Sequence, residues 1–407
     1  MQKYDIIVVG GCAAGLTAAV QASRLYPDAE IAVVEHLPRI GKKILATGNG
    51  RCNLSNIHVP VHPYRSRDFA LPALTRYGVE ETLAFFRSLG LLTYTDSEGR
   101  IYPLSNTAAG VLDALRFAVD TPRITVLCDR DVKEIKKTEN GFTVDNTLAC
   151  RKLILATGGK ASPAQGSDGS GYPLVKQLGH SITRLCPALV PINTQHDAIK
   201  GLKGVRVHRA AMHLTDGSSE VACTTGEILF TDSGLSGIAA MELAAAVGEI
   251  KWKNEKAPCR IIIDFLPDHS EETLLTFLKE LARNPGARTI DSLLTGLLPK
   301  AVGSAVYKCA GLADSAVSFS ENDMIRLIYA VKHFPLTVTS AKGFENAQVT
   351  RGGVNTREVN PQTLESRLCP NLFFAGELLD VDGGCGGFNL QWAWSSGLLA
   401  GEVGGTL

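Results

Sequence analysis

The chain begins with a short polar start and then an unbroken apolar run, Ile6 to Val9. The run predicts a buried strand. Glycines follow it, and Ala13 to Leu25 then read as a helix of small residues that can lie close on a sheet. "AEIAVVEH" reads as a second buried strand, ending at Glu35. Strand, tight turn, helix and strand over residues 5–35 make a βαβ unit. Its parallel pair favours an α/β sheet with helices on its faces.

The pattern then alternates between helical and antiparallel pieces. Residues 70–120 read as largely helical, interrupted by "LLTYTDSEGRIYPLS", which alternates around Glu98-Gly99 as a hairpin does. Alternation resumes around Asn140-Gly141, and "CRKLILATGG" is a buried strand running into glycines. A helix is expected near 171–179. After Cys186 come several short strand-like runs and one helix near 236–247. "EETLLTFLKELAR" opens a mostly helical stretch. The last stretch, from Asn371, reads as strand, glycine loop and helix. We therefore expect a discontinuous domain over 1–186 and 336–407. An inserted substrate or cap domain is expected over 187–335, β-rich at 187–266 and helical at 270–332.

Composition narrows the class. The 407 residues are 45% hydrophobic and 20% charged, with 41 Lys plus Arg against 41 Asp plus Glu. A net charge of zero gives no footprint for nucleic acid. No apolar run approaches the ~20 residues that cross a bilayer. The first strand starts within five residues of Met1, which leaves no room for a signal peptide, so a cytoplasmic protein is expected. Of the ten cysteines none forms a C-x-x-C pair, and no spacing matches a zinc site.

Four stretches carry chemistry. The first is "GGCAAG", the dinucleotide fingerprint G-x-G-x-x-G with Cys12 in place of its middle glycine. Gly10 would permit the tight turn, and Gly15 the close packing of helix on strand. The helix N-terminus would then face a pyrophosphate. Glu35 follows Gly15 by 20 residues, the place for an acid on the ribose hydroxyls. Cys12 is small and Gly11 adjoins it, so the turn should tolerate the change. The second stretch, "RIGKKILATGNGRCNLSN", mixes cations with glycines directly after the Glu35 strand. Such a loop can wrap an anionic cofactor. The third is "LILATGG", which brings Ala156, Thr157 and Gly158 to the same sheet edge. The fourth is "FFAGELLDVDGGCGGFNLQWAWSSG", where a second helix starts after dense glycine, at about Asn389. That helix start can stabilise negative charge on a ligand.

These stretches, with "GEILFTDSGLSG" and "TRGGVN", resemble the BaiN and RdsA-type NAD(P)/FAD-dependent oxidoreductases, also described as aminoacetone-oxidase-family FAD-binding flavoproteins. The likeness covers essentially the full length. It implies an α/β, glutathione-reductase-like (Rossmann-type) FAD-binding domain with an inserted β-barrel plus helical subdomain. By matching position, Gly10, Gly11, Cys12, Ala13, Ala14 and Gly15 would meet the pyrophosphate, and Glu35 with His36 the adenosine ribose. Lys42, Gly48, Asn49, Arg51, Cys52 and Asn53 would flank the flavin and its phosphates. Val132 would lie near the adenine, and Ala156, Thr157 and Gly158 near the nucleotide. Gly376 and Glu377 would approach the ribityl chain, and Gly387, Phe388 and Asn389 the flavin ring. Cys12 and Cys385 depart from the family pattern; Cys52 fits it.

FAD would supply the redox chemistry. No second nucleotide fingerprint with its own βαβ unit occurs, so NADH or NADPH is expected as a transient reductant. The resemblance implies reduction of a C=C conjugated to a ketone, as in oxo-bile-acid or steroid-like enones. Tyr102 is the candidate proton donor, and Cys52 a second candidate catalytic residue. The partner expected is a small-molecule substrate, with neither nucleic acid nor membrane. The oligomeric state is not set by the sequence. Alternatives are a flavin oxidase of an amine or aminoketone and a non-enzymatic FAD-binding redox protein. A disulfide reductase is disfavoured by the missing cysteine pair.

Overall fold

The computed structural model describes residues 1–61, 64–195, 197–283, 292–312 and 320–405. The chain forms two compact units, Met1–Cys186 with Gln348–Leu407, and Pro187–Ala347. Within the stretch expected to be helical over 270–332, residues 284–291 and 313–319 lie outside the described ones.

The first unit opens with β1 (Gln2–Val9), α1 (Ala13–Leu25) and β2 (Ile31–Val34). β1 and β2 run parallel, with Ile6 opposite Ile31 and Val9 opposite Val34. All four residues of β2 and the last four of β1 are buried, as a sheet covered on both faces requires. Next come α2 (Lys42–Ala46), β3 (Ser55–Asn56), α3 (Arg67–Arg76) and α4 (Val79–Ser88). A hairpin of β4 (Thr93–Thr95) and β5 (Arg100–Pro103) turns at the expected glycine, Gly99, where φ is 76°. Then follow α5 (Ala108–Val119), β6 (Ile124–Leu127), β7 (Ile135–Thr138), β8 (Gly141–Val144) and β9 (Leu148–Leu155). The first stretch of this unit ends with α6 (Gly171–Gln177). β10 (Cys186–Ala188) marks the unit boundary.

The sheet runs β6-β2-β1-β9, and two strands share the far edge of β9. β8 pairs antiparallel with its first half and carries β7 with it. β18 (Leu372–Phe374) pairs parallel with its second half, Leu372 opposite Leu153. The end of the chain therefore completes the sheet begun by its start. α11 (Phe388–Ala400) then crosses α1 at close range. A Cβ on Gly397 would lie 2.5 Å from the Ala14 carbonyl oxygen, so only glycine permits this crossing. α11 is buried nearly all round, and its polar groups are matched inside. Trp392 donates to the Gly376 carbonyl at 3.0 Å and Trp394 to that of Leu54 at 2.9 Å. The Gln391 amide donates to Thr82 Oγ1 at 2.7 Å, and its carbonyl oxygen accepts from Ser55 at 2.6 Å. Buried polar groups paired in this way hold one arrangement of the core.

The second unit contains a closed barrel. Its strands are β11 (Ile192–Thr194), β12 (Arg206–Thr215), β13 (Glu220–Phe230), β14 (Gly234–Ser236), β15 (Arg260–Asp264) and β16 (Phe334–Ala341). They close in the order β11-β14-β13-β12-β15-β16. Met212, Leu214, Ile228, Phe230, Ile261 and Ile263 fill it. α7 (Ile238–Lys253) packs on β13, and α8 (Glu271–Arg283), α9 (Lys300–Cys309) and α10 (Glu321–Lys332) pack together beside the barrel. One expected boundary needs correction. The sequence pattern places residues from 336 in the discontinuous domain, yet β16 belongs to the barrel and pairs with both β11 and β15. The unit ends at Ala347, and β17 (Val349–Arg351) leads back into the first. The apolar pattern of 334–341 shows a strand but not its partners.

No helix among the described residues is long and apolar enough to cross a membrane. The α1–α11 crossing generates a stability prediction. Gly397→Ala should lower the thermal midpoint by destabilising the unit about 1–3 kcal/mol, the usual cost of overpacking. Calorimetry that found no loss would contradict so close an approach.

Candidate functional site

The first unit gathers its glycine loops at one edge of the sheet. Gly10 donates its N–H to the Val34 carbonyl at 2.8 Å, and Ala156 donates to that of Val9 at 2.8 Å. A Cβ on Gly15 would fall 1.8 Å from the Gly10 oxygen, so the helix can start this near the strand only with glycine there. Position 12 makes no such demand. Cys12 has extended backbone angles, φ −119° and ψ −157°, that any residue adopts. It is the N-cap of α1, but its side chain makes no capping bond. The first N–H groups of the helix thus receive no capping bond from Cys12, and Ala13 and Ala14 there are buried.

Glu35 is tied to this turn. One carboxylate oxygen accepts the Gly11 N–H at 2.8 Å, and the other accepts that of Leu37 at 2.9 Å. His36 Nδ1 lies 3.2 Å from the second oxygen. The Glu35 carbonyl accepts the Arg130 N–H at 3.0 Å, so the segment leading to buried Val132 runs beside the end of β2.

The loop after β2 folds back on the turn. Gly41 donates to the Gly11 carbonyl at 2.7 Å. Of the two adjacent lysines, the unexpected one points inward. Lys42 Nζ donates to the Ala164 carbonyl at 2.8 Å and is exposed. Lys43 Nζ instead reaches Glu377 at 2.9 Å, the Ala161 carbonyl at 3.1 Å and Ser167 Oγ at 3.3 Å. The other Glu377 oxygen accepts the Thr350 N–H at 2.7 Å. Glu377 is held from two sides, next to Gly159, where a Cβ would lie 2.7 Å from its carboxylate. Gly48, Asn49, Gly50 and Cys52 all have positive φ, which coils the loop tightly.

The C-terminal loop meets this coil. Gly387 caps α11 with φ 100°, and a Cβ there would lie 2.4 Å from the Ser55 oxygen and 2.8 Å from Asn53 Oδ1. Asn389 holds the glycine loop in shape. It accepts the Gly383 N–H at 2.9 Å and donates to the carbonyls of Gly383 and Gly384 at 2.9 and 3.1 Å. Phe388 is buried edge-on to Tyr64, 6.3 Å between centroids. Gly376, just after β18, donates to Ser396 Oγ at 2.9 Å.

Tyr102 sits on β5, which pairs with β3 beside this loop. The Arg51 guanidinium lies 4.7 Å over its ring, and Tyr94 stacks at 5.8 Å. Burial raises the phenol above its ordinary range, while Arg100 and Arg51 pull it down. Cys52 is fully buried, and burial pushes its thiol up to about 12. Burial of this kind disfavours the thiolate at Cys52 and suits it to packing.

A second charged group is not among the residues that the sequence points to. Arg65 pairs with Asp380 at 3.0 Å, Thr183 donates to Asp380 at 2.9 Å, and Arg351 pairs with Asp382 at 3.2 Å. Burial raises the Asp382 carboxyl, with Arg351 opposing. The signal was present in "TRGGVN" and "LLDVDGG", whose charges sit unusually among glycines.

Residues 4–403 match the family described as HI0933-like protein Rossmann domain. A 3-dehydro-bile acid delta(4,6)-reductase of Clostridium scindens is 38% identical over 404 residues, covering 97% of this chain and 98% of that protein. A ribosomal RNA dihydrouridine synthase of Escherichia coli is 28% identical over 402 residues, covering 97% and 96%. The solved 3-ketosteroid delta1-dehydrogenase of Sterolibacterium denitrificans superposes with a TM-score of 0.50 at 14% identity, covering 100% of both chains. That likeness bears on the fold alone.

The burial of the thiols predicts their reactivity. Iodoacetamide should modify the exposed Cys223 and Cys309 of the native protein and spare Cys52 and Cys150 until it unfolds. Peptide mass spectrometry would read this, and early labelling of Cys52 would contradict its burial.

Proposed function

The chain is a Rossmann-type flavoprotein oxidoreductase of the HI0933-like family, and from that premise we propose that it holds FAD and uses NADH or NADPH to reduce a C=C conjugated to a carbonyl. The observation that carries this reading is the 38% identity to the bile-acid reductase over nearly the full length of both chains. That relative's name describes a ketone conjugated with ring double bonds. The dihydrouridine synthase's name also describes saturation of a C=C next to a carbonyl. The two relatives share a reaction class and differ in substrate.

The residues present suit FAD. The α1 N-terminus lacks a side-chain cap, and its turn is too tight for a Cβ at Gly10 or Gly15. Both features favour an approaching pyrophosphate. Thr157 Oγ1 and Asn53 Oδ1 are buried without a protein partner, as groups reserved for a ligand would be. Glu35 would meet the adenosine ribose, and Lys43 with Glu377 would meet the phosphate and ribityl region. The 48–53 and 383–389 loops would border the ring. When bound, the flavin supplies hydride chemistry. The α11 N-terminus would steady negative charge beside the loop. Tyr102, with Arg51 over its ring, would deliver the proton that completes reduction of the alkene.

The experiment is anaerobic reduction of the FAD-loaded protein with NADH and NADPH, followed by a panel of enones including 3-oxo-Δ4 steroids. Bleaching by a nicotinamide and recolouring by an enone are expected. Bleaching by an amine alone would put an oxidase in its place. A colourless protein that takes up no FAD would overturn the reading entirely. Tyr102→Phe should retain FAD and slow enone turnover about 100-fold, the low end for losing a general acid. Unchanged turnover would reduce Tyr102 to packing.

A second substrate reading has its own support in the dihydrouridine synthases. There the reduced base would be a uracil in RNA. The zero net charge weighs against it, because RNA affinity rests largely on a basic surplus. Dihydrouridine formed in ribosomal RNA by the reduced protein, with no enone reduced, would favour that reading.

A further inference from the structure

A group of side chains on the barrel unit takes no part in the chemistry above. His213 on β12 stands directly opposite Cys223 on β13. The ladder pairs Leu214 with Ala222 and then slips, so that Thr215 pairs with Glu220. Val221 is thus an extra residue, a β-bulge. Side chains along a strand alternate between faces, and residues three apart ordinarily point to opposite sides. The bulge cancels one step of that alternation. Glu220 therefore reaches the same outer face as Cys223 and His213. His213 Nδ1 lies 2.8 Å from a Glu220 oxygen, and Cys223 Sγ lies 4.0 Å from His213 Nε2.

We propose that His213, Glu220 and Cys223 form a binding site for a divalent cation of the zinc class. One donor atom from each residue lies within 4.8 Å of the other two. Zinc bonds of ~2.0 Å to nitrogen or oxygen and ~2.3 Å to sulfur place tetrahedral donors about 3.5 Å apart. With one imidazole nitrogen as ligand, the exposed Glu220 and Cys223 and a reoriented His213 have to shift by about 1 Å to meet that geometry. A His–Glu ion pair would account for two of the groups but gives no reason for a thiol on the same side. The mixed nitrogen, oxygen and sulfur set also decides the metal. Calcium and magnesium favour oxygen throughout, whereas zinc, cobalt and nickel accept this mixture. Three protein donors leave a fourth position for water. The metal would clip the two strands together just before the turn at 216–219.

The test uses the full-length protein, stripped with a chelator and then dialysed against zinc chloride. One zinc per chain should be retained by the wild type. His213→Ala and Cys223→Ser should each weaken binding by more than about tenfold. Both side chains lie on the outer barrel face, and circular dichroism would verify that the variants fold. Cobalt(II) should give a thiolate-to-metal absorption band in the wild type that Cys223→Ser abolishes. Zinc should also slow alkylation of Cys223 while leaving that of Cys309 unchanged. Equal zinc affinity in the wild type and Cys223→Ser would overturn the proposal. Zinc that left the alkylation of Cys223 unaltered would overturn it as well.

Discussion

The first unit depends on how closely α11 can approach α1. Ala14 lies in the first turn of α1, and the vacant Cβ positions of Gly376 and Gly397 both meet it, at its Cβ and its carbonyl oxygen respectively. Those glycines come from the far end of the chain. Their contact with Ala14 draws the C-terminal segment onto the N-terminal turn, and the pairing of β18 with β9 fixes its register. The two glycine loops reach one sheet edge because of this packing. A bulkier residue at either glycine would separate them and open the candidate site.

Close approach also accounts for the chemistry of the edge. Backbone crowded this tightly leaves little room for water around Cys52, so its thiol titrates far above neutrality. The same crowding raises the Asp382 carboxyl. Two of the charges at this edge are paired. Lys43 has Glu377, and Arg351 has Asp382. The chain's zero net charge is thus compatible with strongly charged local pairs.

Much of this was legible in the amino-acid order. The β1-α1-β2 unit and the turns at Gly99 and Gly141 follow from apolar runs and turn residues, whose causes are local. The inward lysine was not legible, because Lys42 and Lys43 differ only in which side of a five-residue helix they occupy. The strand at 334–341 was legible as a strand, but its barrel partners lie far away in sequence. α11 gave little warning of its burial. It has no apolar stripe set against a polar face, and the buried Gln391, Ser395 and Ser396 resemble surface residues until their partners are known. The bulge at Val221 depends on pairing with β12, which no reading of β13 alone supplies.

Cys12 shows how one feature can weaken a motif while the site stays intact. A middle glycine in this fingerprint allows the backbone near the phosphate to approach closely. Here the backbone at position 12 is extended and needs no glycine. The neighbouring Gly11 is required by packing, since a Cβ there would sit 2.7 Å from Ile40 and 3.1 Å from Glu35. Its N–H is also the group that Glu35 accepts. The carboxylate at the end of β2 and the glycine turn before α1 are thereby joined by one hydrogen bond. A change at Glu35 would therefore release the Gly11 N–H and loosen the turn that leads into α1.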